Sequence, residues 1–242
     1  MSFTNRVMEI FAVSAANSIE TSQNIPEIRD SIVEYGYGPV IIQEGRDMHT
    51  EFHGSVQEQV QMRQEVRAQN ILTRSAFGTA YSSYLELVDM LRTHLSRDRA
   101  TAFILGLPGQ RERKPQAFIT QATYFYKTLI GNDTVFNRIT KYQLTREKLQ
   151  AAFDLVIDYQ EEFRKKEDAN GAMQRATAKR NENFANFFKW VREFEKACRA
   201  ALKDRPQLIE RLGFSDLHNL RAKKKPVEPE EPSNPEENPP ES

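Results

Sequence analysis

Cysteine is almost absent from this chain of 242 residues. Cys198 stands alone, which excludes an internal disulfide framework and a cysteine-based metal cluster. Histidine is scarce as well, with four residues at 49, 53, 94 and 218. There is no HExxH, no Gly-rich phosphate loop and no nucleophile elbow, so the usual catalytic signatures are missing. Only ten glycines occur, and alternating β patterns joined by Asn-Gly turns are nearly lacking, which argues against a sheet protein. No stretch approaches the roughly 18 or more apolar residues of a membrane span. Met1 to Ile19 carries Arg6 and Glu9 and reads as an amphipathic helix, not a signal peptide. A cytoplasmic location is the expectation that follows.

What is present is a pattern written twice. Tyr142 minus Tyr35 is 107, and at that shift Ile28 meets Val135, Ile32 meets Ile139, Ile42 meets Leu149 and Met48 meets Leu155. One position tighter, Tyr81 meets Phe187, Tyr84 meets Trp190 and Val88 meets Phe194, and Asp98-Arg99 meets Asp204-Arg205. Leu105-Gly106-Leu107 then lies on Leu212-Gly213-Phe214 at the first shift. The matches are mostly apolar or aromatic, so a core was copied and no catalytic polar set came with it. The expected fold is all-α: an internally duplicated, pseudo-symmetric helical bundle of two long helical hairpins plus short capping helices. One domain over 1–220 would hold two repeats, about 5–107 and 112–214.

Apolar residues in the long stretches follow helical seam spacing. Phe77, Tyr81, Tyr84, Val88, Leu91 and Leu95 run 4, 3, 4, 3, 4 apart, and Phe184, Phe187, Val191, Phe194, Cys198 and Ala201 run 3, 4, 3, 4, 3 apart. Between the seams, 57–69 and 164–180 turn polar and read as exposed hairpin tips, with 168–171 the best turn. The rival is one unbroken helix of about 58 residues per copy, roughly 85 Å long. Globular helices seldom reach that length, which favours the hairpin. Pro26 opens a short helix, Gly36 to Pro39 interrupts it, and Thr145 is a natural N-cap. Gly106 and Gly213 suit the left-handed conformation that closes each copy.

Lys and Arg total 34 against 34 Asp and Glu, but the balance hides an asymmetry. Pro226 to Ser242 holds six Glu, six Pro and no cation, so the body carries about +6. The segment 221–242, basic then rich in Pro and Glu, is expected to be disordered, because it cannot bury enough apolar surface to offset the entropy of ordering. Two basic clusters follow the repeats: Arg111, Arg113 and Lys114, then Arg221, Lys223, Lys224 and Lys225. They are the candidate contacts for an anion or partner, although cations after helix C-termini also serve the helix dipole.

His49 and His53 are spaced to share a metal on one helix face, yet the second copy has Val156 and Gln160 there. A duplicated metal site is therefore not expected, and the pair reads as flanking a seam. Cys198 at a core-facing position reads as a small buried hydrophobe. The paired Asp-Arg reads as a cap or ion pair at the start of each short terminal helix. No catalytic residue and no cofactor is expected. The expected function is a non-catalytic structural or protein-interaction scaffold that binds other proteins, its own copies included. The alternatives are a metal- or cofactor-binding bundle, and binding of a polyanion or nucleic acid through the basic loops.

Overall fold

The computed structural model describes residues 5–214, so the tail and the cluster Arg221, Lys223, Lys224 and Lys225 lie outside the described residues. Among the described residues all regular secondary structure is helical: α1 Asn5–Asn24, α2 Pro26–Val33, α3 Pro39–His94, α4 Arg99–Ile104, α5 Pro115–Gly131, α6 Asp133–Ile139, α7 Arg146–Ala201 and α8 Pro206–Arg211. A short 3-10 turn at Thr140–Tyr142 precedes α7. None of these helices is long and apolar enough to cross a membrane.

Local chemistry sets the boundaries. Proline is the first residue of α2, α3, α5 and α8, where its missing N–H forfeits no intrahelical bond. Asn132 caps α6 by accepting from the Val135 amide at 3.1 Å, and Thr145 accepts from the Lys148 amide at 3.3 Å as α7 begins. Gly106 and Gly213 sit at φ 62° and 69°, a left-handed turn that costs glycine nothing.

Many boundaries recur at a constant interval. From Pro39 to Arg146, from His94 to Ala201, from Arg99 to Pro206 and from Pro26 to Asp133, the difference in number is 107 each time. The one-residue step read from the sequence at 81–99 does not occur in these boundaries, because α4 and α8 begin 107 apart. Consequently Asp98 is the N-cap of α4 while Arg205 is the N-cap of α8, and the two Asp-Arg pairs do not hold matching positions.

The long stretches are not hairpins. Each is one helix of 56 residues, α3 and α7. The polar segments taken for exposed tips are helix interior, and their polar side chains supply a buried seam. Gln59 and Arg180 are only 4% and 6% exposed. Arg180 donates to Gln59 Oε1 at 2.7 Å and to Asn181 Oδ1 at 2.6 Å, while Gln59 donates to Thr177 at 2.9 Å. Further along, Gln69 and Thr73 both donate to the Glu162 carbonyl, at 3.2 and 3.0 Å. Buried polar groups that satisfy one another fix the register of two packed helices, where an all-apolar seam tolerates sliding.

The chain divides into two compact units that do not follow the halves of the sequence. Unit 1 comprises, among described residues, 5–53 and 182–214, and unit 2 comprises 54–181. Both α3 and α7 belong partly to each.

In unit 1, α3 and α7 run antiparallel: His49 meets Phe187 with ring centres 5.5 Å apart, and Phe52 meets Phe184 at 5.4 Å. Phe11 of α1 inserts among Phe184, Phe187 and Phe188 at 5.7, 6.4 and 4.9 Å. Ile19, Ile28, Ile32 and Ile42 complete this core, and the Ser18 hydroxyl donates to the Leu212 carbonyl.

Unit 2 has its own aromatic core. Phe77 meets Tyr159 at 5.2 Å across the antiparallel α3 and α7. Phe118 of α5 stands edge-on to Phe77, Tyr81 and Tyr84 at 5.4, 5.3 and 5.7 Å. Such edge-to-face pairs each add about 0.5–1.5 kcal/mol beyond area burial.

Candidate functional site

Three places gather polar or cationic groups. The first is the loop after α4 in unit 2. Arg111 turns its guanidinium inward, donating to the Tyr84 hydroxyl at 2.9 Å and to the carbonyls of Gly106, Leu107 and Pro108 at 2.9, 3.0 and 2.9 Å. Arg92 donates to the Leu107 and Gly109 carbonyls at 2.9 and 2.6 Å. Both arginines tie down the loop that carries left-handed Gly106 and Gly109. Arg113 and Lys114 are exposed and are the cations of this cluster that face solvent. The sequence grouped Arg111 with them by charge, but its neighbours are carbonyls and a phenol.

The second place is the start of α4. Asp98 accepts from the Thr101 amide at 3.2 Å and the Thr101 hydroxyl at 2.7 Å, and Arg138 of α6 donates to both Asp98 and Thr101. The Thr101 hydrogen bonds, helped by Arg138, hold the Asp98 carboxyl below its usual range. Asp98 is thus a cap and an ion-pair partner, the structural role that its sequence position suggests.

The third is in unit 1, on α1 and α3. A pocket of about 220 Å³ is lined by Ala16, Ile19, Glu20, Arg46, His49 and Thr50. The Arg46 fork donates to both oxygens of Glu20 at 2.9 and 3.0 Å. The His49 Nε2 atom is buried and makes no hydrogen bond, and the His53 ring lies 4.7 Å away, edge-on at 70°. Burial, with the nearby His53 adding to it, lowers the His49 pKa below its usual 6.5. Two imidazoles one turn apart suit a divalent transition metal when both nitrogens face one point. Here the rings stand edge to face, and among the described residues no three His, Cys, Asp or Glu side chains come together. Cys198 is fully buried, and burial pushes its thiol up to about 12, so no thiolate is available there as a nucleophile.

One feature that sequence reading missed lies in unit 1. Trp190 stacks on Phe194 with ring centres 5.2 Å apart at 19° and stands edge-on to Tyr37 at 5.9 Å. Its indole presses on the bare backbone of Gly45, where a Cβ would fall 2.3 Å from the ring. The signal in the sequence was the pairing of the only Trp with a helix-interior glycine, but nothing local connects 45 with 190.

No family model, no curated protein and no solved structure matches this chain. The functional reading therefore rests on the residues alone.

Proposed function

We propose that the chain is a non-catalytic protein-interaction scaffold, descended from an internal duplication, that binds other proteins and its own copies. The constant 107-residue interval of helix boundaries supports a duplicated origin. The observation that carries the interaction reading is an apolar patch on unit 2. Phe103 is 78% exposed beside the exposed Ile104, and the Tyr124 hydroxyl donates to the Ile104 carbonyl at 2.9 Å, bringing a third exposed apolar residue to α4. At the places 107 residues away stand Glu210, Arg211 and, for Tyr124, Asn17, all polar. A surface that is polar at one set of positions and aromatic 107 residues away supports a docking role for the aromatic one, since exposed aromatic clusters are costly to keep in water without a partner.

Phe103→Asp tests this without touching the core. Light scattering of the full chain is expected to show a mass above 28.0 kDa that rises with concentration, and the variant is expected to return to 28.0 kDa. Pull-down with the two forms extends the test to other partners. A chain that stays at monomer mass and captures nothing that Phe103→Asp loses overturns the reading.

A further inference from the structure

Unit 2 contains a pocket that unit 1 fills with its own tryptophan. The pocket has a volume of about 260 Å³ and is lined by Ser83, Leu87, Met90, Leu144, Leu149 and Ala152, with Glu86 and Lys148 at its rim. Adding or subtracting 107 converts this lining into the surroundings of Trp190. Ser83 becomes Trp190 itself, Leu87 becomes Phe194, Leu144 becomes Tyr37 and Ala152 becomes Gly45. Those last three are the residues that hold the indole in unit 1, by stacking, by an edge contact and by a bare backbone floor. In unit 2 the side chain at the filling position is a serine.

From this juxtaposition we propose that the Ser83 pocket of unit 2 binds one aromatic side chain, of the tryptophan kind, presented by a protein partner. The inference rests on the duplication in the reading above, and adds to it the chemical identity of the partner's anchor. The pocket volume lies just below the roughly 300–1,000 Å³ of sites for drug-sized molecules, so it fits a single ring system better than an extended ligand. Buried aromatic anchors are also the side chains that dominate binding energy at protein interfaces. A buried polar group lies beside Ser83. The Tyr126 hydroxyl is fully buried and has no hydrogen bond of good geometry. Burial pushes that phenol up to about 12, against a smaller opposing pull from the neighbouring Ser83 hydroxyl. An indole N–H donating to Ser83 would leave the Ser83 proton free to turn toward Tyr126, which satisfies three groups in sequence. At the rim, Glu86 accepts and Lys148 donates, and Lys148 already reaches the Gln143 carbonyl at 3.2 Å. One charge of each sign suits the amide groups flanking an anchor residue better than a net-charged small molecule.

The test uses the full chain and N-acetyltryptophanamide, with methyl NMR signals of Met90, Leu149 and Ala152 as the readout. Saturable shifts at these methyls are expected, with N-acetylleucinamide weaker by about tenfold or more. Ser83→Trp, which supplies the missing indole from within, is expected to abolish them. Should that variant not fold, Ala152→Leu blocks the floor and is held to the same criterion. Absence of shifts in the wild type, equal binding of the leucine amide, or shifts that survive a folded blocking variant overturn the proposal. Tighter binding of free tryptophan than of its amide also overturns it, in favour of a small-molecule site. A separate arm examines the duplication: indole is expected to raise the melting temperature of Trp190→Ala. Rescue there with a silent unit 2 pocket removes this inference and leaves the duplication standing. Binding in unit 2 without rescue leaves the pocket standing and removes the equivalence of the two places.

Discussion

Unit 1 closes its flank with an internal indole, and unit 2 leaves the corresponding flank open over Ser83. The difference comes down to two residue pairs 107 apart, Trp190 with Gly45 and Ser83 with Ala152. An indole at 190 requires a glycine at 45, because any Cβ there overlaps the ring. Ala152 in unit 2 fills part of the floor, and Ser83 asks for none of it. Unit 1 is therefore rigidly filled on this side, while unit 2 keeps a concave apolar surface and, on another side, the exposed Phe103 patch. On the proposed reading, unit 1 would serve stability on this side and unit 2 interaction.

The largest effect expected on this contrast comes from truncating the two filling positions. Trp190→Ala should cost about 3–5 kcal/mol, as for other buried aromatic truncations, whereas Ser83→Ala should change stability by less than about 0.5 kcal/mol. Urea unfolding followed by circular dichroism measures both, and similar costs would erase the distinction between the units. Next in size is the floor. Gly45→Ala should cost about 1–3 kcal/mol through overpacking against the indole, and Ala152→Gly about 1 kcal/mol through helix propensity alone. Because Trp190 is the only tryptophan, its fluorescence reports unfolding of unit 1, and Gly45→Ala should lower that transition.

A smaller effect concerns the turn before each long helix. Gln143 has φ 61° and Gly36, 107 residues earlier, has φ 88°. The left-handed region costs a residue with a Cβ about 1–2 kcal/mol, so Gln143→Gly should raise the stability of unit 2 by up to about 1 kcal/mol once glycine's greater unfolded entropy is set against it. A lower midpoint for that variant would show that the Gln143 side chain contributes more than its backbone strain costs.

The smallest expected effect is a pH dependence of unit 1 near the histidine range. His49 is held below 6.5, so in the acidic range the unfolded chain takes up a proton that the folded unit resists. Stability is then fully present above the ordinary histidine value and declines as pH falls through and below it. Glu20, Arg46 and His53 face this group from α1 and α3. Unfolding monitored by Trp190 fluorescence should show the decline in wild type and a shallower one in His49→Phe. An identical slope in both would assign the dependence to other groups.

Much of this architecture was legible before any coordinates. Pro26, the break at 36–39, the Thr145 cap and the closing glycines punctuate the chain locally, and each reports a helix boundary through its own backbone chemistry. The hairpin tips were misread because polarity was equated with exposure. The seam in fact continues through Ser55, Gln59, Met62, Val66, Gln69, Thr73, Ala76 and Ala80 at alternating spacings of four and three. Helical spacing was the better guide, and composition the worse one. The slip of one residue at Tyr84 and Trp190 arose from matching aromatic with aromatic, whereas the helix boundaries keep the interval of 107, at which Trp190 falls on Ser83.

The sequence alone determined that the chain is helical and where several of its helices begin, since these depend on interactions within a few residues. Tertiary structure decided that each polar stretch continues a 56-residue helix, that Arg111 serves loop carbonyls, and that Gly45 lies beneath Trp190. Those outcomes require side chains far apart in number to meet, and no local propensity records which of them will.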